Sequence, residues 1–119
     1  MEHTLCVLLR RSPYGQIQAA EAIRHVGGAL AEGIQTNVIL IDDGVYVARD
    51  GQNPSSTNWT PLVPALTKVL AKGAHVWVHT PSALERGLLK DEHFVVGVEP
   101  LDDAGLAQML AGSHSVMIY

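Results

Sequence analysis

One cysteine in 119 residues leaves no partner for an internal disulfide and no Cys cluster for a metal. A lone cysteine fits a reducing compartment. Charged residues make up only 17% and the net charge is −4. A broad surface for a phosphate backbone is therefore not expected, and no direct nucleic-acid partner is implied. Apolar runs are short and broken by Gly, Pro or charge, so none reaches membrane-spanning length. The start, Met1-Glu2-His3, lacks the basic and long apolar stretches of a secretion signal. A cytoplasmic protein without membrane contact is the expectation. The six histidines are scattered, and no His-x-x-x-His pair falls on a helix, where it would suggest zinc. G-x-G-x-x-G and Walker patterns are also missing. No cofactor and no metal are expected.

What is present is a regular alternation. Hydrophobic residues reach 47%, too many for a disordered chain. The length fits one domain, residues 1–119, able to bury its own core. Thr4–Leu9 is an unbroken apolar run, the pattern of a strand covered on both faces. From Gly15 to Glu32 the period changes, with Ile17, Ala20, Ile23, Val26 and Leu30 on one helical face and Gly33 as the stop. Asn37–Ile41 is a second buried strand, and Asp42-Asp43-Gly44 a turn. Val45–Ala48 fits either a short extension or a first helical turn. Arg49 to Trp59 reads as an exposed loop.

Thr60 and Pro61 suit an N-cap followed by a first helical position, with Leu62, Leu66, Val69 and Leu70 as the apolar stripe. Ala74–His79 is a third strand. Thr80-Pro81-Ser82 starts a short helix through Arg86, closed by Gly87. Phe94–Val98 reads as a fourth strand. Pro100 and Asp102-Asp103 open a last helix, with Leu106, Met109 and Leu110 inward. Ser115–Tyr119 is a fifth strand. Five strands alternating with helices predict an α/β fold of three layers. Its five-stranded sheet is mainly parallel, with helices on both faces. Right-handed crossovers bring the strand C-termini to one edge, where such sheets bind ligands.

Three segments together carry a resemblance. Ser12-Pro13-Tyr14-Gly15 follows strand one. Asp43-Gly44-Val45-Tyr46 follows strand two, with Gly51-Gln52 beyond. Trp77-Val78-His79 leads to Ser82 and Glu85-Arg86-Gly87-Leu88. Their order and spacing, with Phe94-Val95-Val96 and Pro100-Leu101 later, resemble the DsrE/DsrF sulfur-relay family, most closely its DsrF/TusC branch. The resemblance covers nearly the whole chain and implies a flavodoxin-like, DsrEFH-like sheet. It implies a role in passing persulfide sulfur between small proteins, toward tRNA thiolation or in sulfur oxidation. It implies a homo- or hetero-oligomer, with DsrE/TusD-like and DsrH/TusB-like partners. Reactive members carry a cysteine at the end of strand three. Counting back from Arg86-Gly87 puts that position at His79.

Imidazole cannot hold a persulfide, which needs a reachable thiolate. Cys6 lies mid-strand, where a free cysteine is normally a small inert hydrophobe. A non-carrier subunit without catalysis of its own is therefore the leading expectation. The alternative is a stand-alone homo-oligomer binding a small anion through His79 and the Arg10–Gly15 loop.

His79 stands at the sheet edge, beside a helix amino end. A neutral imidazole is expected there, as base, anion ligand or partner contact, or as a hydrogen-bonded filler. Arg10, Arg11, Ser12 and Tyr14, with Gly15, form a loop able to cradle an anion or simply to cap a helix. For Asp42 and Asp43 the readings are a pairing with Arg10 or Arg11 across the edge, a metal, or a turn, the ordinary use of adjacent carboxylates. His75 and His79 share a strand face but stand too far apart to chelate. Trp77 belongs in the core. Trp59, at a loop–helix junction, is either an interface anchor or half-buried on its own helix. Tyr46, Ser82 and Arg86 complete the candidate interface.

Overall fold

A computed structural model of the chain describes residues 3–88 and 94–119. The sheet has the order β4-β3-β2-β1-β5. Its strands are β1 (Thr4–Leu9), β2 (Gln35–Leu40), β3 (His75–His79), β4 (Glu99–Leu101) and β5 (Ser115–Ile118). Every strand pair is parallel, as the alternating sequence predicts. The helices are α1 (Gln18–Ala31), α2 (Leu62–Ala71), α3 (Thr80–Glu85) and α4 (Asp103–Gly112), with a 3-10 segment at Asp42–Ala48. The three layers match flavodoxin-like folds. The strand order does not follow flavodoxin's 2-1-3-4-5, because β1 to β4 add in one direction and only β5 returns past β1.

That return puts helices on both faces. Leu5, Val7 and Leu9 of β1 pack with Ala19, Ala22, Ile23 and Val26 of α1, and with Leu62, Leu66 and Val69 of α2. Cys6 and Ile39 alternate to the opposite face and pack with Leu101, beneath Leu106, Met109 and Leu110 of α4. The first core is large and fully covered. The second is thin, and no α4 residue is fully buried.

Several sequence-based boundaries shift. Gly15 does not open α1. It takes φ +86° in a turn, and the helix begins three residues later, at Gln18. Thr60 is not an N-cap. Pro61 flanks α2 in an extended conformation, without a side-chain cap. The Tyr14 hydroxyl accepts from Leu62 N instead.

The segment after β2 is helical, because Gly44 lets it press onto β1. A Cβ there would sit 2.0 Å from the Leu9 carbonyl oxygen.

The fourth strand is the main correction. Phe94 makes only an isolated antiparallel bridge to Arg49. Val96 and Gly97 form a turn, with Gly97 at φ +106°. The β-prone composition of Phe94–Val98 therefore lines a turn, while Glu99–Leu101 pairs with β3. Pro100 joins that strand instead of opening the helix, and an edge strand tolerates its missing donor. Asp102 caps α4 by accepting from Gly105 N at 2.7 Å.

Candidate functional site at the sheet edge

The C-terminal ends of β1, β2, β3 and β4 converge, and their polar residues meet there. His79 closes β3 and is only 7% exposed. Its Nδ1 lies 2.7 Å from Ser82 Oγ, and its Nε2 lies 2.7 Å from Asp103 Oδ1. Asp42 N donates to Ser82 Oγ at 2.9 Å. The Ser82 hydroxyl is thus free to donate to His79 Nδ1. Both ring nitrogens and the Ser82 hydroxyl thus have partners within the protein. The network joins the 3-10 segment after β2 with β3, α3 and α4.

The cations at this edge are engaged as well. Arg10 Nε donates to Asp42 Oδ2 at 3.2 Å. Arg86 Nε donates to Asp43 Oδ1 at 3.0 Å, and its Nη1 to the Ser82 carbonyl at 3.1 Å. Arg11 Nη1 donates to Gln16 Oε1 at 3.2 Å. Ser12 Oγ donates to the Tyr14 carbonyl and accepts from Gln16 Nε2. Asp42 therefore makes the pairing with Arg10 that the sequence offered, whereas Asp43 takes Arg86, and both lie at the start of the 3-10 segment. Asp42 itself stands at φ +54°, a left-handed conformation that Asp tolerates better than most residues.

The remaining candidates divide. Tyr46 packs against the larger core, and its carbonyl accepts from Gln52 Nε2, which also serves Val47 and Arg49. Gln52 thus closes the 3-10 segment, a role that its position after Gly51 does not betray. Trp59 is 39% exposed on its loop, and none of the hydrogen bonds found among the described residues links it to the edge cluster. Trp77 is partly buried on the α4 face, where its Nε1 donates to Asn37 Oδ1 at 3.1 Å. Sequence reasoning missed Asp103 as a partner of His79. Its only signal was an acidic residue in the first turn of a helix. A mainly apolar cavity of about 420 Å³ is lined by Val78, Ala83, Leu84, Leu88, Phe94 and Val96 among others, and by none of Asp42, His79, Ser82 and Asp103.

Cys6 is fully buried. Burial pushes its thiol above the ordinary value, outweighing the lowering contact with Ser113. It is a core residue, as its mid-strand position suggests. Among the described residues no group of three or more His, Cys, Asp or Glu side chains could hold a metal. No helix among them is long and apolar enough to cross a membrane.

Comparison with known proteins agrees with this architecture. The chain is 39% identical over 114 residues to an uncharacterized protein of Methanocaldococcus jannaschii, covering 95% of this chain and 96% of that one. It is 31% identical over 113 residues to a TusC homolog of Pseudomonas aeruginosa, covering 92% of each. The crystal structure of the YchN protein of E. coli superposes with a TM-score of 0.82 at 20% identity over the full length of both chains. A Methanobacterium thermoautotrophicum protein of unknown function, MTH1491, gives 0.73 at 12% identity, covering 98% of this chain and 99% of that one. Residues 3–119 match the DsrE/DsrF-like family, and the chain belongs to that family.

Proposed function

We propose that this protein is a non-carrier, DsrF/TusC-like subunit of a cytoplasmic sulfur relay, a single domain acting by protein–protein contact and without catalysis of its own. The reading is carried by the state of the two candidate sulfur positions, His79 and Cys6, taken together. The position that resembles the reactive cysteine holds an imidazole whose two nitrogens are already bonded to Ser82 and Asp103. The chain's one thiol is fully buried mid-strand. Sulfur transfer needs a thiolate that a partner can reach, and neither group meets that need. The similarity to a TusC homolog supports the branch.

In this reading the edge residues Arg10, Arg11, Ser12, Tyr14, Gly15, Asp43, Ser82 and Arg86, with Tyr46 and Trp59 on neighbouring segments, shape a contact surface for DsrE/TusD-like and DsrH/TusB-like partners. His79 braces it. Sulfur carried by those partners would serve tRNA 2-thiolation or sulfur oxidation. No observation favours the alternative of an anion site through His79 and the Arg10–Gly15 loop, since Arg10, Arg11 and both imidazole nitrogens already have protein partners.

The test is a persulfide-loading assay on the native protein, joined to co-purification from its host. Expected is no protein-bound persulfide, together with recovery of DsrE-like and DsrH-like proteins. Stable loading of the folded chain removes the non-carrier reading. Recovery of the protein without such partners removes the subunit reading.

A further inference from the structure

The chain has two Asp-Gly dipeptides, Asp43-Gly44 and Asp50-Gly51, and no Asn-Gly. A glycine after Asp leaves its own amide nitrogen unshielded and the backbone free to bend. Such a pair can close a five-membered ring on itself. The fold treats the two pairs differently. Gly44 is buried, its N–H donates to the Ile41 carbonyl at 2.9 Å, and Arg86 holds the Asp43 carboxylate. Asp50 and Gly51 are both exposed and lie in a turn. Gly51 takes φ +83°, with open space where a Cβ would stand. Among the described residues, the hydrogen bond found for Gly51 N is to Asp50 Oδ1 itself, at 3.0 Å, and no cation pairs with Asp50.

We propose that Asp50-Gly51 is a site of spontaneous backbone isomerisation, and that the fold protects Asp43-Gly44 from the same change. The carbon that carries Oδ1 is the one the Gly51 nitrogen must reach, and the 3.0 Å contact holds the two groups together. The nitrogen bonds to Asp50 Cγ, and the hydroxyl of the carboxyl group leaves with the amide proton as water. The product is a cyclic imide. Water then re-enters at one of the two imide carbonyls. Opening at Cγ restores Asp50. Opening at the backbone carbonyl leaves the chain running through Cγ and frees the main-chain carboxyl, giving isoaspartate. One water leaves and one returns, and nothing is oxidised or reduced. At Gly44 the same attack must first break the N–H bond to Ile41 and turn a segment that is pressed onto β1.

Isomerisation lengthens the backbone by one carbon just before Gln52. The Gln52 amide donates to the carbonyls of Tyr46, Val47 and Arg49 at 3.1, 3.0 and 2.7 Å. Those acceptors precede the altered link and the donor follows it. The link that sets their spacing therefore changes length, and the clasp loosens. The loop from Asp50 to Trp59 is held at its start by that clasp, so the modified chain has a freer loop. This inference does not rest on the sulfur-relay reading.

Peptide mapping of the folded protein after prolonged incubation at mildly acidic pH tests it, beside a sample kept unfolded in urea. The folded sample should gain isoaspartate at residues 50–51, together with an imide lighter by one water. The yield at residues 43–44 should be at least about tenfold smaller, because reaction there waits on local opening. In urea both pairs should react. Asp50→Glu, whose longer side chain would have to close a six-membered ring, should leave no product at this site and an unchanged circular dichroism. Chymotrypsin should cut the isomerised fraction, separated by ion exchange, faster after Trp59 than the unmodified protein. Absence of product at residues 50–51 in the folded protein overturns the inference, as does an equal yield at the two pairs. Equal cleavage after Trp59 overturns the loosening of the loop.

Discussion

His79 Nε2 and Asp103 Oδ1 stand 2.7 Å apart, although one residue closes β3 and the other lies in the first turn of α4. The two ends of this contact differ in burial, with the His79 side chain 9% exposed and the Asp103 side chain 79% exposed. The carboxylate therefore loses little hydration, while the imidazole gains an acceptor it needs when buried. The contact ties α4, on the thin face, to the sheet edge.

Removing the imidazole should matter more than removing the charge. His79→Ala leaves the buried Ser82 hydroxyl without its acceptor, at a cost of about 1–3 kcal/mol. Asp103→Asn keeps a carbonyl acceptor at an exposed position, so it should cost less than about 1 kcal/mol. Urea denaturation of both single variants and the double variant measures this. Equal losses from the two single changes would contradict the unequal burial.

Gly44 is set by space and not by φ. With a Cβ placed 2.0 Å from the Leu9 carbonyl oxygen, Gly44→Ala must push the 3-10 segment off β1. A loss on the order of 3 kcal/mol or more is expected. Thermal unfolding of the variant checks it, and a near-neutral change would mean that the approach of this segment to β1 is wrong.

The Cys6 thiol gives a signed pH dependence. Burial raises its pKa in the folded protein. The folded state therefore holds the proton to higher pH than the unfolded chain does. The associated stability is complete below the unfolded thiol value of about 8.5 and falls as pH rises beyond it. Wild type should lose more stability than Cys6→Ala between neutral and alkaline pH, read from urea midpoints. The native thiol should also resist a thiol reagent near neutrality and react on unfolding.

Val96 tests the corrected fourth strand. It is 94% exposed, so Val96→Asp should change stability by less than about 0.5 kcal/mol. A central strand position would lose several times more. Chemical denaturation distinguishes the two, and a large loss would restore the strand at Phe94–Val98.

The misplacement of that strand has a physical source. Phe94–Val98 has the β-branched and aromatic content of a strand, and Glu99-Pro100-Leu101 does not. Propensity describes fitness for a pleated, packed surface, but pairing is decided by which backbone can reach β3. The last helix shows the same limit. Leu106, Met109 and Leu110 do face the sheet, yet remain only half-buried, because among the described residues α4 alone covers that face.

At the candidate site, His79, Ser82, Arg10 and Arg86 were readable as edge residues, since each follows or ends a recognisable strand. Their partners were not. Asp42 and Asp43 are neighbours in sequence, but Asp42 meets Arg10 and Asp43 meets Arg86. Asp103 is a helix-start acid until β4 is placed beside β3.

The sequence by itself determined the α/β alternation, the burial of Cys6 and the absence of a thiol at the end of β3. These depend on local period and residue identity, which the chain carries without reference to its fold. Only the tertiary structure decided which strands form the edges, which carboxylate meets which cation, and that one face of the sheet is thinly covered. Those outcomes depend on contacts between residues far apart in the chain, and hydrophobic period holds no information about strand order.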